Sequence, residues 1–340
     1  MKVDGMFGAG RVMETAHAIV ARAEQLEDLG FDGLQIAEVA HDPFLPLVLA
    51  AHHTSRIELR TSIAVAFARS PMNLANLGHD LNALSSGRFA LGLGSQIRPH
   101  IVKRFSMPWH GPAKQMREMI EAINAIWDCW YDDKPLRYTG EFYRHTLMTP
   151  EFTPSNQAAG RPKVLLAAVG PLMVKTAARV ADGIIIHPFC TEAYLKQVIL
   201  PVLQEELASR GKTLDDFQIQ YPAFIATGDT EEELVKSREA IRYRIGYYAS
   251  TPAYKGVLDL HGWGDIQPVL NRMTKEGKWN ELAGEISDEV LQTFAAVGEP
   301  VPAAQLIRQR FEGVVDRVTL DVRKSEQTLA DQMSVIRGTM

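Results

Sequence analysis

RFALGLGSQIRPHIVKRFSMPW, Arg88–Trp109, is the stretch whose reading decides the fold. RFALGLG is short, apolar and ends in small residues, as buried parallel strands do. Its glycines raise the question of a dinucleotide loop. That fingerprint needs a third glycine, three residues after the second, opening a helix. Here Gly94 is followed by Ser95, Gln96 and Ile97, and Pro99 with a basic run delays the next helix to about Pro112. The segment reads as a strand that stops at an edge, leaving Ser95 and Gln96 to project polar groups there.

Outward from it, strand and helix patterns alternate. KVDGMF, FDGLQIAE and RIELRTSIAVAF read as strands upstream. The helices between them begin at Arg11, at Asp42–Pro43 and at Ser70–Pro71, with Asp42 and Ser70 as caps. Downstream, PKVLLAAVG, DGIIIHPF, FQIQYPAFIAT and VDRVTLDV read as strands, each followed by a helical pattern. Eight such units predict a closed (β/α)8 TIM barrel, with an open doubly wound sheet as the alternative. No composition shift marks a boundary, so residues 1–340 are expected to form one domain. Two breaks read as insertions: 132–160 after the fourth strand, with a hairpin turning at Gly140, and 250–298 between the seventh and eighth.

The bulk numbers narrow the class. The chain has 340 residues, 46% hydrophobic and 23% charged, and a net charge of -5, which is ordinary for a globular protein. A nucleic-acid protein would carry a basic domain, and none is evident. Two cysteines do not make a disulfide scaffold. Cys129 reads as core, and Cys190 as a buried thiol with reactivity as the alternative. The first twenty residues lack a signal-peptide pattern and no run of about 18 apolar residues occurs. No membrane contact is expected, and the cytoplasm is the expected compartment. No metal site is expected, because neither HExxH nor paired CxxC occurs.

In a barrel the chemistry lies where the strands end. Those ends are Met6–Gly8, Ala37–Asp42, Ser62–Phe67, Gly94–His100, Ala168–Gly170, His187–Thr191, Ala226–Gly228 and Asp321–Lys324. Glu38 stands where a general acid or base could act, or where it could pair with an arginine at the rim. His41 and His100 are the histidines that could assist it. Arg98, His100, Lys103 and Arg104 could hold a phosphate or an acidic tail, or could form a solvated loop. Backbone N–H groups from Val169 to Leu172 open a helix at Pro171, a natural anion site, with the next strand ending at His187. A plain strand-to-helix turn is the alternative.

Taken together, GFDGLQIAE with HDPF, LSSGRFALGLGSQ, YTGEFYR and AAVGP with ADG resemble the luciferase-like flavin and deazaflavin oxidoreductases, over nearly the whole chain. More narrowly they look like the branch that uses coenzyme F420. The resemblance implies a barrel, usually dimeric, and a non-prolyl cis peptide at Ser62–Ile63 pressed against the cofactor ring. It implies a cofactor phosphate at Ala168, Val169, Gly170 and the turn of His187 and Pro188, with Gly94, Ser95 and Gln96 beside the ring or its tail. Many such relatives carry an acid followed by histidine after the second strand, whereas here Glu38 is followed by Val39. Sugar-phosphate enzymes often have an acid after the fourth-strand glycines, where this chain has Gln96 and Ile97.

The expected activity is therefore hydride transfer between F420 and a small organic substrate. Glu38 is the expected acid or base, with His41 or His100 assisting. An FMN-dependent monooxygenase and a non-catalytic cofactor-binding barrel are the alternatives.

Overall fold

The computed structural model describes residues 1–7, 14–322 and 324–339. Of the strand ends named above, Gly8 and Arg323 lie outside the described residues, as do Arg11–Met13 at the expected start of the first helix.

Among the described residues, eight parallel strands close a barrel: β1 Lys2–Phe7, β2 Gly33–Ile36, β3 Glu58–Thr61, β4 Phe89–Gly94, β5 Lys163–Ala168, β6 Gly183–Ile186, β7 Gln218–Tyr221 and β8 Arg317–Asp321. Each pairs with the next, and β8 returns to β1 with Lys2 opposite Arg317 and Asp4 opposite Thr319. The TIM barrel read from the strand–helix alternation is the observed fold. Helices on the outside follow the strands, and several start where the sequence says they should. Ser70 accepts the Asn73 N–H at 3.1 Å ahead of helix Pro71–Leu84. Thr230 accepts that of Glu233 at 3.2 Å ahead of helix Glu231–Ala249, whose first turn holds three glutamates.

Two local readings change. The helix expected to open at Asp42–Pro43 begins at Phe44. Asp42 still receives the Phe44 N–H at 2.8 Å, and its other oxygen receives Arg69 Nη2 at 2.8 Å. The segment FQIQYPAFIAT is two strands, not one. Pro222 has no N–H to give a ladder. The chain leaves the barrel there, and Phe224–Ala226 pairs in parallel with Ala295–Val297 from the second insertion. The first insertion holds the expected hairpin, Tyr138–Thr139 against Arg144–His145, with the Gly140 N–H donating to Tyr143 O at 2.9 Å.

Strand alternation sends Val3, Leu34, Leu59, Leu91, Leu166, Ile184, Ile219 and Val318 outward into the main core under the helices. The inward positions divide into two halves. On β4, β5 and β6 they are apolar: Ala90, Leu165, Ala167 and Ile185, which pack with Ile63. On β1, β2, β3, β7 and β8 they are polar: Asp4, Gln35, Arg60, Gln220 and Arg317, all fully buried. Arg317 clasps Asp4 through Nε, at 2.9 Å, and Nη2. Gln35 Nε2 reaches Asp4 at 2.7 Å, and Gln220 Nε2 reaches Gln35 Oε1 at 2.8 Å. Arg60 donates to Gln220 at 3.0 Å and to Glu58 at 2.6 Å. Burying several charges together is tolerable only because each finds partners.

Candidate active site

At the C-terminal mouth β3 is interrupted. The Ser62–Ile63 peptide is cis, and the chain rejoins β4 at Ala64 and Val65. The β2 end grips this bulge. Ser62 donates its N–H to Ile36 O at 2.8 Å, and the Glu38 N–H donates to Ile63 O at 3.0 Å. The Glu38 carboxylate accepts the Val65 N–H at 2.7 Å and Arg69 Nη1 at 2.6 Å, both on Oε2. Burial opposes the charge on Arg69, but Glu38 and Asp42 outweigh it and raise its pKa. The arginine considered as a rim partner for Glu38 is thus Arg69. From inside the barrel, Gln220 Nε2 approaches Ser62 Oγ at 3.4 Å.

The glycines of β4 make room for the bulge. A Cβ on Gly92 would stand 1.9 Å from the Thr61 carbonyl oxygen, and one on Gly94 2.8 Å from Ile63 Cγ1. The two strands are also bonded here, since Thr61 Oγ1 donates to Gly92 O at 2.7 Å. Beyond Gly94 the chain turns at Gln96, whose φ is +58°. Its side chain accepts the Ile97 N–H at 3.2 Å, and Ser95 Oγ donates to Gln96 O at 3.1 Å. His100 is half-buried and opens the turn His100–Arg104; Arg98, Lys103 and Arg104 are exposed. Arg104 donates to Val39 O at 2.5 Å, tying the β4 loop to the β2 loop that also carries His41.

Gly170 precedes helix Pro171–Val180 as its N-cap, with open space where its Cβ would be. The N–H groups of Val169, Gly170 and Leu172 have no acceptor among the described residues. Ala168 is buried as the last residue of β5. These N–H groups form the helix start that was read as an anion site.

The β6 end carries His187 and the turn that follows it. His187 Nδ1 accepts the Phe189 N–H at 3.0 Å, and burial pulls the imidazole pKa down to about 3. The ring is therefore neutral and its proton sits on Nε2. It lies between Tyr248, at 4.6 Å between ring centroids, and Tyr254, at 4.7 Å. Phe189 stacks on Phe294 at 4.6 Å. The end of helix Glu231–Ala249 and the second insertion together surround His187 with aromatic rings. Pro188 is half-buried on the same turn. Cys190 is buried and burial pushes its thiol pKa up, the state of an inert thiol.

Sequence reasoning missed Arg69 by name, the two tyrosines as neighbours of His187, and the polar half of the interior. A signal for the last was present: Asp4, Gln35, Arg60, Gln220 and Arg317 all fall at alternate positions of otherwise apolar strands.

The luciferase-like monooxygenase family profile matches residues 1–317. The chain belongs to this family. An uncharacterized protein of Mycobacterium tuberculosis is 50% identical over 318 residues, covering 94% of this chain and 92% of its own. The F420-dependent glucose-6-phosphate dehydrogenase of Intrasporangium calvum is 28% identical over 347 residues, covering 94% and 95%. Among solved structures, the coenzyme F420 dependent tetrahydromethanopterin reductase from Methanopyrus kandleri superposes with a TM-score of 0.79 at 18% identity, covering 99% of each chain. As a member of the luciferase-like family, the chain is an oxidoreductase enzyme. No described helix is long and apolar enough to cross a membrane.

Proposed function

We propose that the protein moves a hydride between coenzyme F420 and an uncharged organic substrate at the C-terminal mouth of the barrel. The observation that carries this reading is the placing of two features at one end of the barrel. One is the gripped Ser62–Ile63 bulge, with Gly94 giving it space. The other is the open helix start at Gly170, with three N–H groups lacking acceptors among the described residues. A tricyclic ring joined to a phosphate fits that pair of features. The F420-dependent dehydrogenase relative supports the choice of cofactor.

Ser62 and Ile63 would support the ring, with Gly94, Ser95 and Gln96 beside it. Val169, Gly170 and Leu172 would receive the phosphate through their N–H groups, next to Ala168 and the turn of His187 and Pro188. Exposed Arg98, Lys103 and Arg104 would meet an acidic tail. When bound, F420 supplies a hydride donor or acceptor at its central ring, chemistry no side chain provides.

Glu38 acts in this reading by holding the bulge. Its Oε2 accepts both the Val65 N–H and the Arg69 guanidinium, which ties the β2 end to the chain just after the bulge. His41 and His100, on the two loops joined by Arg104, are the groups nearest in the chain to take part in proton transfer. We place the enzyme in the cytoplasm as a homodimer. A sugar phosphate does not suit it, because Gln96 and Ile97 stand where such enzymes carry an acid.

Equilibrium titration of the purified protein with F420 and, separately, with FMN tests the proposal. Saturable F420 binding in the micromolar range or tighter supports it. Binding of FMN with none of F420 refutes it and favours the FMN-dependent monooxygenase. Binding of F420 without turnover over a broad panel of alcohols and carbonyl compounds favours a barrel that only holds the cofactor.

A further inference from the structure

Three aromatic rings that carry uncharged hydrogen-bond donors meet beyond the end of β6. The His187 ring contacts both Tyr248 and Tyr254. Because the Phe189 N–H occupies Nδ1, His187 Nε2–H is a donor. Neither it nor the Tyr248 and Tyr254 hydroxyls has a hydrogen-bond partner among the described residues. All three residues are half-buried, and none of their unpartnered polar atoms is fully enclosed. Behind them Phe189 and Phe224 are buried and pack against the tyrosine rings, and buried Phe294 stacks on Phe189. Burial raises the Tyr254 hydroxyl to about 12 and that of Tyr248 in the same direction, so both keep their protons at neutral pH.

Donors without charge select their ligand. A carboxylate or phosphate drawn from water onto this cluster would lose hydration with no cation in hydrogen-bond contact to replace it. The nearby Arg244 is exposed and stands 6.0 Å from the Phe224 ring. A neutral oxygen with two lone pairs suits uncharged N–H and O–H donors carried on neighbouring rings. The ring-lined surroundings favour a flat apolar body attached to that oxygen.

We propose that His187, Tyr248 and Tyr254 form the substrate-recognition site for the oxygen of an uncharged, ring-bearing carbonyl compound or its alcohol. The place of this site in a reaction rests on the F420-dependent reading above; the binding site itself does not. It also assigns His187 to substrate rather than to the cofactor phosphate.

The test uses a matched set of probes on one ring: acetophenone, 1-phenylethanol, benzoate and phenyl phosphate. Each is titrated by saturation-transfer NMR against the full chain, with and without F420. The variants are Tyr248→Phe, Tyr254→Phe and their double, which keep the rings and remove only hydroxyls, and His187→Phe, which removes the Nε2–H and also the Nδ1 acceptor of the Phe189 N–H. Thermal unfolding checks that each is folded. We expect saturable acetophenone and 1-phenylethanol binding that is stronger than that of either anion. Each Tyr→Phe change should weaken it by roughly fivefold, and the double by about twentyfold or more. Absence of acetophenone binding, equal binding by the double variant, or preference for benzoate or phenyl phosphate would overturn the proposal. F420 binding is measured on the same samples. Hydroxyl-dependent acetophenone binding without F420 binding would sink the cofactor reading and leave this site standing; F420 binding with hydroxyl-independent acetophenone binding would do the reverse.

Discussion

Ile63 occupies the space that a side chain on Gly94 would need: a Cβ there would stand 2.8 Å from Ile63 Cγ1 and 2.9 Å from Cδ1. The neighbouring pair, Gly92 and Thr61, is tighter still, and the atom in the way is backbone. Gly94→Ala should therefore be tolerated by the fold, at about 1–2 kcal/mol, because the tip of Ile63 can move. It should nevertheless weaken F420 binding by about tenfold or more, because Ile63 is where the ring would rest. Gly92→Ala would run into the Thr61 backbone, which cannot move aside as the Ile185 tip could, and should cost about 3 kcal/mol or more. Urea unfolding and F420 titration of the two variants separate the effects.

Glu38 and Arg69 form a pair of which both side chains are mostly buried, with exposures of 7% and 13%. Arg69→Met leaves the carboxylate buried without its cation and should cost about 3 kcal/mol. Glu38→Gln keeps an acceptor for the Val65 N–H, so a holding role predicts that most of any measured activity survives. Glu38→Ala loses that acceptor and should lower activity and F420 affinity together. Equal inactivation by both substitutions would instead make Glu38 the acid or base.

The polar half of the barrel interior is exposed to a similar test. Asp4 and Arg317 have no exposed side-chain surface, and Asp4 also receives Gln35. Asp4→Ala would strand Arg317 beside Arg60 with only Glu58 for a counter-charge. A loss of about 3–5 kcal/mol is expected, read from urea unfolding. A loss below about 1 kcal/mol would mean that the network relaxes without Asp4.

His187 sets a pH dependence. Its folded pKa is about 3, against an ordinary value of about 6.5. Between those values the unfolded chain takes up a proton that the folded chain refuses. Stability is therefore whole above about pH 6.5 and falls as the pH drops toward 3, by up to about 1.4 kcal/mol per pH unit from this group. Unfolding free energies at about pH 7 and about pH 5 should differ less in His187→Phe than in the parent chain.

The barrel was legible because each strand is short and apolar and each helix carries its own start signal, as Ser70–Pro71 and Thr230 show. The bulge at Ser62–Ile63 was legible only through likeness to a family; nothing in RTSIAV itself announces a cis peptide. Glu38 could be placed at the rim, but its partner could not, because Arg69 is 31 positions away in sequence and meets it only after β3 turns. The break at Pro222 was missed because FQIQYPAFIAT is apolar on both sides of the proline, and its partner strand Ala295–Val297 lies in SDEVLQTFAAV, which reads as a helix to its end. The neutral state of His187 was beyond reach, since it follows from burial beside Tyr248, near the end of helix Glu231–Ala249, and Tyr254, in the second insertion, both far along the chain.

The central claim is that one end of this barrel holds F420 between the Ser62–Ile63 bulge and the helix start at Gly170. A crystal structure of the complex with F420 tests it most directly. The account predicts the deazaflavin ring against Ser62 and Ile63, and the phosphate accepting hydrogen bonds from the N–H groups of Val169, Gly170 and Leu172. A ring bound away from the bulge, or a phosphate held elsewhere on the barrel, would contradict it.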